Sequence, residues 1–371
     1  MKCKWGELIT LEYGKPVKDK ARVDGKYPVF GTNGQIGTSE YPPLCNHPSF
    51  ILGRKGAYRG VHYSSVPFSV IDTAFYAENL HPELLDMKWA YYKFLTYDIS
   101  SMDSGSAIPS TDRYEIYGID VELPDIYEQK KMVALLECLD DKIELNNKIN
   151  DNLEQQMQAI FLNFVSTRSS SSKTSVESVV LTANTGADAI QKAPIVDYDT
   201  GVRCVRVGDM TNNRSFHDWG YAKVTDEVFN RYQLHKNDII VTRTASLGLN
   251  VIITENLQAV YNNGLIRLTI NDKIALPLFI YRQFQTDDFS NYIARIESET
   301  SVRPNMKINY LLNYEFDLPP LDEQNKLINV LRPMIEQKNS LVDENKKLES
   351  IRDTLLPRLM SGELDVSDID L

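Results

Sequence analysis

The chain has 371 residues, 42% of them hydrophobic and 25% charged, and a formal net charge of −11. This length suits two or three domains. The acidic balance argues against indiscriminate nucleic-acid binding, which needs a basic excess. No apolar run approaches the ~18–20 residues of a membrane span, and the opening "MKCKWGELITLEYG" lacks a signal-peptide core. Cys3, Cys45, Cys138 and Cys204 are scattered without a CxxC pair. That pattern suggests neither a zinc site nor a disulfide framework, and it fits a reducing cytoplasm. Segments 1–122 and 169–317 are each net −2, 123–168 is −3 and 318–371 is −4. Any anion-binding surface must therefore be a local patch.

In chain order, residues 1–122 read as a β-rich globular block. Short apolar runs ("YPVFG", "SFILGR", "SVIDTAFYAE") are separated by Gly and Asn turns, and a helical stretch "ELLDMKWAYYKFL" follows. Residues 123–165 open with "LPDIYEQKKMVALL" and carry apolar residues at helical spacing, among them Leu135, Leu139, Ile143 and Leu153. Asp125 and Glu128 have capping-box spacing. Residues 166–175 ("STRSSSSKTS") read as a flexible linker. Residues 176–317 form a second β-rich block, with "VRCVRVG", "DIIVTRT" and "GLIRLTI". Residues 318–371 open with "LPPLDEQNKLINVL" and continue as a second long amphipathic helix through Val330, Leu331, Leu341 and Leu348. Each helix reads as about 35 residues, roughly 50 Å. Two narrow apolar stripes in one chain most simply bury against each other. Pro333 predicts a kink or break near Arg332.

The two helices begin alike because the chain repeats. At an offset of 195, Leu123, Pro124, Glu128, Gln129 and Lys131 match Leu318, Pro319, Glu323, Gln324 and Lys326. The fold expected is α+β: two β-rich domains in tandem, separated by two long antiparallel coiled-coil-like helices, with pseudo-twofold symmetry.

No catalytic constellation is supported. "PDIYEQK" resembles a metal-dependent nuclease motif, but its residues open a helix and the second copy has Asn325 in place of Lys130. "FGTNGQIG" lacks the strand–loop–helix setting of a dinucleotide site. His47, His62, His81, His217 and His235 show no ligand spacing, so no metal is expected. What remains is binding chemistry in loops. "GRKGAYRG" sets Arg54, Lys55, Tyr58 and Arg59 on glycine turns, and "VTRTASLG" sets Arg243 at the corresponding strand end. Arg113, Arg303, Asn305 and Lys307 stand beside hydroxyl-rich turns ahead of the LP motifs. Asn33, Gln35, Arg206, Asn213 and Arg214 complete the candidates, alongside Asn212. Such residues suit phosphates and base edges.

The doubled "LPDIYEQKK…LLECLDDKIELNN" and "LPPLDEQNKLINVL", each after a variable block, together with "LLPRLMSGELDV", resemble the specificity subunit of type I restriction–modification systems over essentially the full length. The resemblance implies two target recognition domains, each reading one half of a bipartite double-stranded DNA site. It implies helices that space them and dock two methyltransferase subunits using S-adenosylmethionine. A nuclease/translocase subunit using ATP and Mg would also join. The chain itself would be cytoplasmic and non-catalytic, with no cofactor. Two other readings are a recognition subunit of a related restriction system outside type I and a protein-only coiled-coil adaptor.

Overall fold

The computed structural model describes all residues except 21, 57, 103–108, 169–172, 300–304 and 367–371. The first block is closed on itself by Lys2–Lys4, which pairs antiparallel with Asp120–Glu122. Between them, Ile9–Tyr13, Ala74–Asn79, Ser49–Gly53 and Val61–Ser64 form an antiparallel sheet in that order. Ser49–Gly53 is buried at every position. A strand covered on both faces carries no alternation, which is why "SFILG" reads as a continuous apolar run. A smaller sheet orders Gly34–Ser39, Tyr27–Gly31 and Ser69–Val70, the last two parallel. Helix Met87–Leu95 starts where the Asp86 carboxylate accepts from the Lys88 and Trp89 amides. It brings Trp89 and Phe94 into the core against Trp5 and Phe50.

The second block repeats this plan. Lys173–Ser175 pairs with Glu315–Asp317. Val180–Thr185, Leu265–Ile270, Ile239–Thr242 and Asn250–Ile252 form the antiparallel sheet. Ile195–Val196, Tyr221–Ala222, Arg203–Val205 and Ala259–Tyr261 form the smaller one, again ending in a parallel pair. One glycine marks the same tight crossing in both blocks. A Cβ on Gly14 would lie 2.0 Å from the Ile71 carbonyl oxygen, and one on Gly186 would lie 2.3 Å from that of Asn262. Topology repeats where the side chains have diverged.

The central helix spans Ile126–Ser166 and the C-terminal helix Leu321–Met360, so both exceed the length read from periodicity. The chain forms two compact units, Met1–Asn147 with Leu341–Leu371, and Lys148–Ser340. Within the first, Asp140 pairs with Arg352 at 3.1 Å, Lys142 with Glu344 at 3.5 Å and Asn146 with Asn345 at 2.8 Å. Within the second, Glu154 pairs with Lys338 at 2.6 Å, and Arg168 pairs with Glu323. Rising numbers on one helix meet falling numbers on the other, so the helices run antiparallel within each unit.

Most of the expected seam lies inward. Leu331 is fully buried, Ile143 and Leu153 nearly so, and Leu135, Leu139, Leu341 and Leu348 are half-buried. Val330 is the exception at 58% exposure. Leu327, Ile328 and Leu331 occupy the inner face, and Val330 sits about 100° around the helix from Leu331. Pro333 does not split the C-terminal helix, which is continuous through it. The proline removes the hydrogen bond to the Asn329 carbonyl, and Asn329 is exposed, where water can serve that group. The expected linker is shorter than 166–175, because Ser166 closes the central helix and Lys173–Ser175 is a paired strand.

The repeated motif has a physical cause. Gln129 and Gln324 are both fully buried. Gln129 Oε1 accepts the Asp86 amide at 2.8 Å, while its Nε2 donates to the Leu84 and Pro124 carbonyls. Gln324 Oε1 accepts the Leu276 amide at 2.7 Å, and its Nε2 donates to the Ile274 and Pro319 carbonyls. In each copy one amide side chain fastens the start of a long helix to the segment that begins the domain's own helix. Beside it, Asp125 and Glu128 form the anticipated capping box.

Candidate nucleic-acid interface

In the first domain three segments meet at one end of the two sheets. The Thr32 hydroxyl donates to the Lys55 and Thr73 carbonyls at 3.0 and 2.8 Å, tying the Asn33–Gln35 hairpin to the Arg54 loop. The Thr111 amide donates to the Arg54 carbonyl and the Gly56 amide to that of Pro109, which brings the segment before Arg113 alongside. Asn33, Gln35, Arg54, Lys55, Tyr58 and Arg113 therefore belong to one surface. Arg54 donates to the Asp72 carbonyl at 3.0 Å, and Lys55 lies 3.8 Å from the Asp72 carboxylate. Burial lowers the pKa of His62, whose ring faces the Thr32 carbonyl beneath the hairpin.

A residue not singled out by sequence organises this surface. Tyr13, 43% exposed, has the Arg54 guanidinium 4.8 Å and the Arg113 guanidinium 5.1 Å from its ring centroid. Two cations stacked on one aromatic ring are held in place, Arg54 also by its bond to the Asp72 carbonyl and Arg113 by its bond to the Tyr114 hydroxyl, which leaves their other N–H groups for an anion. The partners are distant in sequence, and only the fold brings them together. Arg59, in contrast, is buried at 3% exposure and donates to the Gly56, Ile99, Ser100 and Met102 carbonyls. It secures the loop from within and cannot reach a ligand, so it leaves the set of candidate contacts.

The second domain repeats the bonds that hold the Arg54 loop. The Arg243 amide donates to the Gly264 carbonyl as that of Arg54 does to Thr73. Its guanidinium donates to the Asn263 carbonyl at 3.1 Å as that of Arg54 does to Asp72. The Met306 amide donates to the Arg243 carbonyl. The bridge between Lys55 and Ser110 recurs between Thr244 and Asn305. Asn305 and Lys307 are exposed beside this loop, and Arg303 lies outside the described residues. Arg206 follows strand Arg203–Val205 at the position equivalent to the end of Tyr27–Gly31. Asn213 and Arg214 stand further off, on the rim of a cavity of about 490 Å³ that also includes Trp219, Phe284 and Gln285. Arg214 pairs with the buried Asp209 at 3.3 Å.

A family model described as "Type I restriction modification DNA specificity domain" matches residues 2–155 and 187–351. The chain belongs to this DNA specificity family. Its two matches fall on the two structural repeats. The chain is similar to the EcoBI specificity subunit of Escherichia coli, with 21% identity over 174 residues, 45% of this chain and 36% of that one. It is also similar to the MjaVIII specificity subunit of Methanocaldococcus jannaschii, with 19% identity over 78% of this chain and 72% of that one. In fold it matches a type I restriction-modification S subunit from M. genitalium with a TM-score of 0.58 and 15% identity, covering 97% of this chain and 96% of that one. These relatives are named as specificity subunits, in agreement with the non-catalytic reading of the sequence. No helix among the described residues is long and apolar enough to cross a membrane.

Proposed function

We propose that this chain is the DNA-reading subunit of a type I restriction–modification complex, with each globular domain recognising one half of a bipartite site. The observation that carries this reading is the equivalence of the Arg54 and Arg243 loops, held by the same hydrogen bonds in the two domains that match the specificity family. Asn33, Gln35, Lys55, Tyr58 and Arg113 in the first domain, and Arg206, Asn213, Arg214, Asn305 and Lys307 in the second, supply the donors and acceptors around them. Arginines at this surface suit phosphate oxygens or guanine edges, and Asn and Gln suit adenine. The long helices set the length of DNA left unread between the half-sites. They also dock two adenine-methyltransferase subunits, which bring S-adenosylmethionine. A nuclease subunit using ATP and Mg joins the same assembly, and the complex works in the cytoplasm. The test is single-molecule methylome sequencing with and without the gene. Loss of one bipartite adenine-methylation motif is expected, and unchanged methylation beside an active partner methyltransferase overturns the reading.

A further inference from the structure

Cys45, His47 and Glu78 converge in the first domain, although "LCNHP" and Glu78 are far apart in sequence. Cys45 Sγ lies 3.6 Å from His47 Nε2, and that nitrogen lies 2.8 Å from Glu78 Oε2. We propose that these three side chains form a binding site for a thiophilic divalent cation of the zinc class, clipping the loop before Ser49–Gly53 to strand Ala74–Asn79.

The separations are close to those such an ion sets, and a turn of the His47 ring, whose Nε2 and Nδ1 lie 3.6 and 3.7 Å from Sγ, aims a nitrogen lone pair at it. Zn–S of about 2.3 Å and Zn–N of about 2.0–2.1 Å in a tetrahedron place sulfur and nitrogen roughly 3.6 Å apart. The Nε2–Oε2 edge is shorter, as a direct hydrogen bond requires, and opens by about half an ångström when an ion enters. Burial is asymmetric: Cys45 is 1% exposed, whereas the His47 and Glu78 side chains are 42% and 40% exposed. The site therefore has an entry path and room for a water as fourth ligand. His47 Nδ1 lies 3.2 Å from the Pro48 carbonyl. A neutral imidazole has one N–H, yet both nitrogens here face acceptors. With an ion bound, Nδ1–H donates to Pro48 while Nε2 and the Glu78 carboxylate both turn to the metal, an outer hydrogen bond typical of ligating histidines. The Cys45 thiol now lies 3.4 Å from the His47 carbonyl oxygen. Binding replaces the thiol proton with the ion, and the proton passes to solvent. The mixed sulfur, nitrogen and oxygen set favours zinc or cobalt over magnesium or calcium. Glu78 is four residues along its strand from Ala74, the partner of Gly53. That is about 13 Å at 3.3 Å per residue, so the site is separate from the Arg54 loop.

The test uses the full chain, stripped of metal and titrated with Co²⁺ and then Zn²⁺. One equivalent should bind with a thiolate-to-cobalt charge-transfer band, Zn²⁺ should bleach that band, and Tm should rise with Zn²⁺ concentration. Cys45→Ser and Glu78→Gln should abolish the band, while Cys138→Ser, at an exposed cysteine, should retain it. Absence of the band in the parent chain overturns the proposal, as does its survival in a folded Cys45→Ser variant. If Cys45→Ser fails to fold, Glu78→Gln decides on the same terms. DNA binding does not enter the readout, so this result is independent of the recognition reading.

Discussion

Arg54 and Arg59 are five residues apart in one glycine-rich loop, yet burial gives them different work. Arg54→Ala and Arg243→Ala are expected to weaken specific DNA binding and to reduce the slope of log K against log salt by about 1 for each phosphate no longer neutralised. Partner assembly should be unchanged, and binding titrations at several salt concentrations measure both effects. Arg59→Ala should act through stability. It removes the Arg59 donor from four carbonyls, three of them among residues 99–102, of which Ile99 keeps the Met102 amide, at a cost of about 2–3 kcal/mol in denaturant unfolding. Gln129→Leu belongs with Arg59. It removes both donor and acceptor from a fully buried junction and should destabilise the first unit by about 1–3 kcal/mol. Equal stability of the variant and the parent would show that the glutamine is not what fastens helix to domain.

At the scale of elements, one carboxylate of the central helix does the same job in each unit. Asp140 accepts from the Tyr92 hydroxyl at 2.6 Å and pairs with Arg352. Glu154 pairs with Arg282, which is 3% exposed, and with Lys338. Each thus joins the globular domain's helix to the C-terminal helix. Burial pushes the Glu154 pKa up, but Arg282 and Lys338 outweigh it and the net shift is downward from 4.5. A lowered folded pKa means that the stabilisation is present above the unfolded value and is lost as pH falls from about 4.5 through the folded pKa. Glu154→Gln should therefore cost about 2 kcal/mol at pH 7, less than a fully buried pair because Glu154 is a third exposed. The cost should shrink as pH drops below 4.5, and urea unfolding across pH reads it. Between the two carboxylates, Asn146 donates to Asn345 at 2.8 Å, a polar contact of the kind that sets helix register. A helical turn inserted after Glu144, matched by one after Lys346, preserves this pairing and should lengthen the unread gap in the recognised DNA. Methylome sequencing that returned the parental spacing from an active variant would refute that role for the helices.

For the whole molecule, duplication places two copies of one DNA specificity domain in a single chain. The domains share topology, the Gly14/Gly186 crossing and the Arg54/Arg243 bonding, while differing in the residues around them. Replacing residues 1–122 with the block of another family member should change one half-site and leave the other intact. A change in both halves would mean that the domains do not read independently.

The repeat, the two long helices and the family are legible in the order of residues alone, because these rest on local periodicity and on a motif whose copies share one register. Leu331, Ile143 and Leu153 were legible as inward-facing positions for the same reason. Tertiary structure alone decided what periodicity cannot carry. Gln129 and Gln324 are junction clasps because backbone groups 43 to 50 residues away converge on them. Arg59 faces inward because carbonyls about 40 residues further on need donors. Val330 faces outward because it sits about 100° around the helix from Leu331, off the buried face of Leu327, Ile328 and Leu331. Tyr13 joins Arg54 and Arg113, and Cys45 joins Glu78, across strand pairings that bring together residues distant in sequence. Short-range pattern encodes which face of a helix or strand is apolar. Which polar groups meet depends on how the sheets cross, and that is settled only when the chain folds.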